Sequence, residues 1–205
     1  MAFLLDPNRE FTQVELAEET VTNRGTVSRH VRHLAAAGLI EAEGEGRGAR
    51  WRVTDPDLLL DAWRADYDFW RHDVRQGHIG GRASVELLRV MAERFLQEDL
   101  PYAATGLAGA WLIEPLATFR LVTVYVPPWL PESALTDLGF RDEPRGANVW
   151  LVHARDEGVF MGSGITDGIR HVSAVQTYLD LKAQPERSEE AAEQLRRRHL
   201  RWDAR

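Results

Sequence analysis

Arg24, Thr26, Ser28, Arg29 and Arg32 put five hydrogen-bond donors into one short stretch, three of them guanidinium groups. Donors of this kind meet phosphate oxygens and the acceptor edges of bases, and an arginine can give two parallel bonds to a guanine. Val27, Val31 and Leu34 interleave with them at spacings of four and three. A helix over this run buries the three apolar residues as one stripe and turns the donors away from it. Asn23 stands where an N-cap is needed, since its side-chain oxygen can accept from a free amide of the first turn. Such a helix suits the major groove of duplex DNA. An ordinary amphipathic surface helix has the same periodicity, so the flanking residues must decide.

Upstream, Thr12-Gln13-Val14-Glu15 is a capping box that starts a short helix ending near Thr20. Downstream, Gly38 closes the second helix at a position that favours a left-handed residue. Residues 39–42 then read as a strand, Gly44, Gly46 and Gly48 as a mobile loop, and residues 50–53 as a returning strand. Helix, turn, helix and hairpin is the winged-helix order. On it the site assignment is Asn23, Arg24, Thr26, Ser28 and Arg29 toward the groove and Arg32 nearer the phosphates. Arg47 at the hairpin tip and Arg50 on the wing complete it. The run "RGTVSRHVRHLAAAGLIEAE" resembles the winged helix-turn-helix domains of bacterial transcription regulators. It departs from them in the turn: Val21 stands where such domains often carry glycine, and a β-branched residue resists positive φ.

Charge is consistent with this reading once its distribution is considered. The whole chain carries −7, yet six arginines face three glutamates between Asn23 and Val53, a local +3. A basic face on an acidic body fits a sequence-selective binder with weak non-specific affinity. The chain contains no cysteine, which excludes disulfides, thiol catalysis and zinc–thiolate sites. No apolar run reaches membrane length and no secretory leader follows Met1, so a cytoplasmic location is expected.

Other chemistry is thinly supported. Thr105-Gly106 between a strand and a small-residue helix could suggest nucleotidyl transfer, which needs clustered carboxylates to hold magnesium. No acidic residue follows Gly106 until Glu114, and residues 121–126 contain none. Gly162-Ser163-Gly164 is too short for a phosphate loop and lacks a following lysine. The histidines show no paired metal spacing, and Ser163, Asp167 and His171 have nothing beyond proximity to suggest a triad. Arg196-Arg197-Arg198 ends a helix that opens with Glu189-Glu190, an arrangement that complements the helix dipole. No catalytic residue, metal or cofactor is therefore expected.

The elements that must carry the site follow in order. Residues 2–5 offer barely one helical turn, so another segment must cover that face of the winged helix or a helix must precede it. Asp55-Pro56 caps a long helix whose Leu59, Trp63, Tyr67 and Trp70 form an aromatic stripe. Residues 76–81 read as a glycine-rich linker between a DNA-binding domain at 1–75 and a mixed α/β domain at 82–205. In the second domain, helices are expected near 84–98, 107–113, 134–138, 173–182 and 188–198. Strands are expected at 102–105, 121–126, 149–152 and 159–161. The strand–helix–strand run from 102 to 126 suggests a parallel crossover, and Asp167-Gly168 a hairpin tip. The fold class is α+β in two domains, and the second can be read as a degenerate nucleotidyltransferase-like core.

The stretches "YAATGLAGAWLIEP", "LVTVYV", "DEGVF" and "VSAVQTYLDLKAQPERSEEAAEQL" resemble the C-terminal domain of AbiEi antitoxins, the regulator components of type IV toxin–antitoxin systems. With the winged helix in front, the resemblance spans nearly the whole chain. It implies a regulator that binds double-stranded operator DNA, represses its own operon and opposes a nucleotidyltransferase-like toxin. The alternatives are a module that neutralises a toxin by direct contact and a stand-alone regulator unrelated to any toxin.

Overall fold

The computed structural model describes residues 1–44, 46–115, 118–185 and 187–202, with the side chain of Arg47 outside that description. The chain divides into two compact units, residues 1–67 with the tail from Leu200, and residues 68–199.

The first unit opens with the one-turn helix α1 (Ala2–Leu5), followed by β1 (Phe11–Thr12), α2 (Gln13–Glu19) and α3 (Arg24–Ala36). Strands β2 (Ile40–Glu43) and β3 (Arg50–Val53) form the wing, and α4 (Pro56–Asp66) closes the unit. Short-range chemistry sets each boundary. Thr12 Oγ1 accepts from Glu15 N at 3.2 Å while the Glu15 carboxylate accepts from Thr12 N at 2.7 Å, a reciprocal capping box. These Thr12 donors hold the Glu15 carboxyl below its ordinary value. Asn23 Oδ1 accepts from Thr26 N at 2.9 Å and starts α3. Gly38, at φ +71°, ends it, with Leu39 N donating to the Leu34 carbonyl and Gly38 N to that of Ala35. Antiparallel β3 lies between β1 and β2, pairing Arg50 with Thr12 on one side and with Glu43 on the other. Phe3, Leu4, Phe11, Leu16, Val27, Val31, Ile40 and Leu60 are buried at its centre. The short α1 lies against α4 and β3, so α4 is a segment that covers this face.

Val21 takes the left-handed conformation that its side chain resists, at φ +49°. It is the residue after the α2 cap, where Thr22 N reaches back to the Ala17 carbonyl at 2.9 Å. The closing bonds of the helix hold it there, and its side chain is 84% exposed, so no packing is gained in return. Val21→Gly is therefore expected to raise stability by about 1 kcal/mol, the left-handed penalty less the extra chain entropy of glycine. Chemical denaturation of the two proteins measures it, and an unchanged midpoint would show the turn to be unstrained.

The aromatic stripe does not continue as one helix. Tyr67 turns extended and ends α4, and the Asp68 carboxylate accepts from Trp70 N at 3.1 Å, starting a separate 3₁₀ turn over Phe69–Arg71. A local side-chain bond to the backbone outcompetes helix continuation here. Leu59 is buried within the first unit, whereas Trp70 belongs to the second and packs on Trp150 with ring centroids 5.2 Å apart.

In the second unit, β4 (Asp73–His78) precedes α5 (Ser84–Gln97), β5 (Ala103–Thr105) and α6 (Gly106–Ile113). Then come β6 (Val122–Val126), α7 (Glu132–Leu138), β7 (Arg141–Asp142) and β8 (Val149–His153). The hairpin of β9 (Gly164–Thr166) and β10 (Ile169–His171) leads into α8 (Ala174–Asp180) and α9 (Ser188–His199). These strands form one seven-stranded sheet in the order β7-β4-β8-β6-β5-β10-β9. Every residue of β5 and β6 is buried, as a sheet covered on both faces requires. The apolar helix α6 is itself covered by α8 and α9, while α5 packs on β6, β10 and α7.

Several sequence expectations change here. The region read as a linker at 76–81 is structured: β4 runs through residue 78, paired with β8 on one side and with β7 on the other. Ile79 continues it, exchanging two hydrogen bonds with the Asn148 side chain at 2.9 and 2.8 Å. The boundary between units accordingly falls at Tyr67/Asp68 rather than after residue 75. Arg75 of β4 is held by Glu132 at 2.5 Å and Asp142 at 2.7 Å. Strands β5 and β6 are antiparallel rather than parallel, because the chain beyond the eight-residue α6 returns to the end of the sheet it left. The parallel pairs are instead β6 with β8 and β5 with β10. Residues 159–161 form no strand, since Asp156 caps Gly158 N at 2.8 Å and winds residues 157–160 into a 3₁₀ turn. The Asp167-Gly168 tip forms as expected, with both residues at positive φ.

Gly77 in β4 is fixed by contact: a Cβ there would overlap the Phe140 ring and the Arg141 carbonyl. Gly77→Ala is expected to destabilise the second unit by about 1–3 kcal/mol, the usual range for overpacking. Urea unfolding followed by tryptophan fluorescence would register it, and a loss below a few tenths of a kcal/mol would mean that Phe140 swings away freely.

Candidate nucleic-acid interface

On α3, Val27 and Val31 are buried and Leu34 is half-buried, so the expected stripe faces the core of the unit. Arg29 and Arg32 lie on the opposite side of the helix together with Gly25, and all three are exposed. Arg29 Nη2 donates to Thr26 Oγ1 at 3.1 Å, which ties two of the expected site residues together on one face. Arg32 Nε donates to the Ser28 carbonyl at 3.2 Å, leaving its Nη groups pointing on. Arg24 is exposed in the first turn, and Ser28 is half-buried on the flank of the same helix. Among the described residues, Arg24, Arg29 and Arg32 have no carboxylate partner. Asn23 is spent on its cap and so serves the site by fixing where α3 begins.

The wing contributes less than its sequence suggests. Arg50 was expected to reach DNA, but it sits on the central strand and turns back onto the unit. Its Nη2 donates to the Glu10 carbonyl at 2.8 Å and its Nε to the Glu10 carboxylate at 3.2 Å, with Glu15 3.9 Å away. Arg52 is likewise paired with Glu41 at 2.6 Å. Beside them, a hydrogen bond to Glu10 and that residue's like charge push the Glu43 carboxyl above its ordinary value. The base of the wing is thus an ion-pair cluster in which Arg50 and Arg52 meet carboxylates of their own unit. Arg47 lies in the 3₁₀ turn Gly46–Gly48 at the tip, and its side chain falls outside the described residues.

Gly25 is a residue that reading for donors missed. Its φ is not left-handed, and an added Cβ would meet only Asn23 Oδ1 at 3.4 Å, an ordinary contact. The fold therefore does not require glycine at this outward position. A glycine early in an otherwise well-formed helix is the signal by which it could have been found.

The remaining sequence candidates are accounted for locally. Arg198 and His199 both reach Glu114, at 2.7 and 3.0 Å, and Arg196 donates to the Tyr178 hydroxyl at 3.2 Å. Ser163 Oγ donates to the Phe160 carbonyl at 2.6 Å while His171 contacts Thr166 Oγ1 at 3.2 Å, so Ser163, Asp167 and His171 form no triad. Among the described residues no three His, Asp or Glu side chains converge as a metal-binding group. No described helix is long and apolar enough to cross a membrane.

A capped helix pair joined by a tight turn and followed by a two-stranded wing, whose sheet β1 completes, defines a winged helix-turn-helix. Residues 2–50 match the model of the MarR family, and this similarity supports a DNA-binding transcriptional regulator. No curated protein and no solved structure matches the chain.

Proposed function

We propose that the protein is a sequence-specific repressor of the antitoxin type. It lays α3 in the major groove of its own operator and acts by occupancy, without catalysis. The observation that carries this reading is α3, where Arg24 in the first turn and Arg29 and Arg32 on the outer face lack carboxylate partners among the described residues, while Arg50 and Arg52 of the wing are paired with Glu10 and Glu41. Cations without carboxylate partners release counterions when they meet phosphate, and guanidinium groups on a helix also suit guanine edges. Arg24, Thr26, Ser28 and Arg29 face base edges, and Arg32 and Arg47 meet phosphates. The resemblance of the second unit to AbiEi antitoxins is what points to autorepression opposite a nucleotidyltransferase-like toxin. A gel shift of the full chain on the DNA upstream of its own reading frame tests the core of this reading. A discrete complex that survives excess random duplex is expected. Binding no tighter than to random DNA would overturn it.

Gly25 provides a check with opposite signs in two assays. Gly25→Ala is expected to stabilise the first unit by about 0.5–1 kcal/mol through helix propensity. Operator affinity is expected to fall about tenfold, equivalent to ~1.4 kcal/mol, because the methyl group holds the helix off the groove. Melting and titration of the same variant measure both, and unchanged affinity would place this face away from DNA.

A further inference from the structure

A cleft of about 390 Å³ opens in the second unit, walled by the end of α5, the approach to β5, the 3₁₀ turn before β9, and β10. That is the size of a small organic ligand rather than of a water cluster. Leu100 and Tyr102 are buried along it, Phe160 is half-buried, and Leu96 is 60% exposed, unusual for leucine on a packed helix. Its polar side chains are Asp99, Tyr102, Ser163 and Arg170, and Tyr102 and Arg170 supply the donors. The Tyr102 hydroxyl accepts from Arg170 N at 3.3 Å, and no described group takes its proton. Burial raises this phenol above its ordinary value, against a smaller pull from the Arg170 amide and charge, so at neutral pH it keeps that proton to donate. The exposed Arg170 guanidinium has no carboxylate partner among the described residues. An apolar wall with two donors at one end, one of them cationic, is complementary to an amphipathic anion.

We propose that this cleft binds a small carboxylic acid with an apolar tail. Its carboxylate accepts from the Tyr102 hydroxyl and the Arg170 guanidinium, and its tail lies on Leu96, Leu100 and Phe160. Asp99, exposed on the cleft wall, divides the possible sources. A plain acid leaves it unused, whereas an apolar amino acid would place its ammonium there. The proposal concerns binding to the second unit and stands independently of the DNA reading.

The test is calorimetric titration of the full chain with hexanoate, phenylacetate, leucine and phenylalanine, with hexanol and hexylamine as controls. At least one acid is expected to bind, with the alcohol and the amine at least about tenfold weaker, the scale of a charge-assisted hydrogen bond. Arg170→Gln and Tyr102→Phe should each weaken the acid about tenfold; the melting temperature stays in place for Arg170→Gln, a surface change, and falls for Tyr102→Phe, which takes from Arg170 N its hydroxyl acceptor. Amino acids outranking plain acids, with the preference lost in Asp99→Asn, would assign the amino-acid source, and the reverse ranking the plain acids. Acid and alcohol binding alike, either variant binding like the parent, or no acid binding up to about 10 mM would each overturn the proposal.

Discussion

Replacing Asp180 by alanine is expected to lower the unfolding free energy by about 3–5 kcal/mol, because several buried donors lose the acceptor they share, at about 1–3 kcal/mol each. Asp180 ends α8 with no exposed surface, in contact with β5, with β6 and with Gln176 of its own helix. Its carboxylate accepts from the Tyr125 hydroxyl at 3.0 Å, from Gln176 Nε2 at 2.9 Å and from the Thr105 hydroxyl. Removing it would take that shared acceptor from all three donors, in an interior where each lost bond costs about 1–3 kcal/mol, while the Tyr125 hydroxyl keeps His72 Nε2 at 3.4 Å. Asp180→Asn keeps the shape and one acceptor oxygen, so it should lose distinctly less, although its amide would face donors. Urea unfolding of the three proteins distinguishes the cases. An alanine variant within 1 kcal/mol of the parent would show that water satisfies the stranded groups and that the cluster is dispensable.

Arg29→Ala is expected to weaken operator binding by about 1–3 kcal/mol if the guanidinium makes a two-pronged contact with a guanine, while leaving random DNA little affected. Arg47→Ala should weaken both kinds of DNA alike and flatten the salt dependence by about one unit, the loss of one phosphate contact. Arg50→Ala should do neither, because that side chain is bound to Glu10 within its own unit. Its effect belongs in the melting curve instead. Titrations at two salt concentrations on operator and random duplexes separate the three patterns. A loss of specificity in Arg50→Ala comparable to that in Arg29→Ala would mean that the wing ion pairs open on binding.

What was legible in the sequence was what is decided over a few residues. The Thr12–Glu15 box, the Asn23 cap and the Gly38 stop lie within four or five positions of the groups they satisfy, so type and spacing were enough. The donor face of α3 followed from the same periodicity. Strand β4 was not legible, because its polar sequence, Asp73-Val74-Arg75-Gln76-Gly77-His78, has little strand propensity and is held by partners some 70–80 residues away. The direction of β5 against β6 depends on where the chain turns after α6, which no local pattern encodes. Arg50 looked free because its partner Glu10 is 40 residues upstream. The Asp180 cluster left one faint trace: Gln176 and Asp180 are four apart on a helix whose neighbouring positions are apolar, a pair of polar side chains turned inward.

The pairing of β4 also sets the order in which a nascent chain can fold. Wing pairs close over short separations, such as Glu43 with Arg50, and the more distant Thr12–Arg50 pair is complete by the same residue. Strand β4 emerges from the ribosome soon afterwards, but its neighbours are not made until His78 can meet Arg141 of β7 and Asp73 can meet His153 of β8. Closing that long loop is the slow, entropy-limited step of the second unit. For the time taken to synthesise those intervening residues, the ribosome carries the first unit without its tail from Leu200 and a polar strand with no mate. The low hydrophobicity of that strand, which hid it from sequence reading, is what keeps the waiting segment from aggregating.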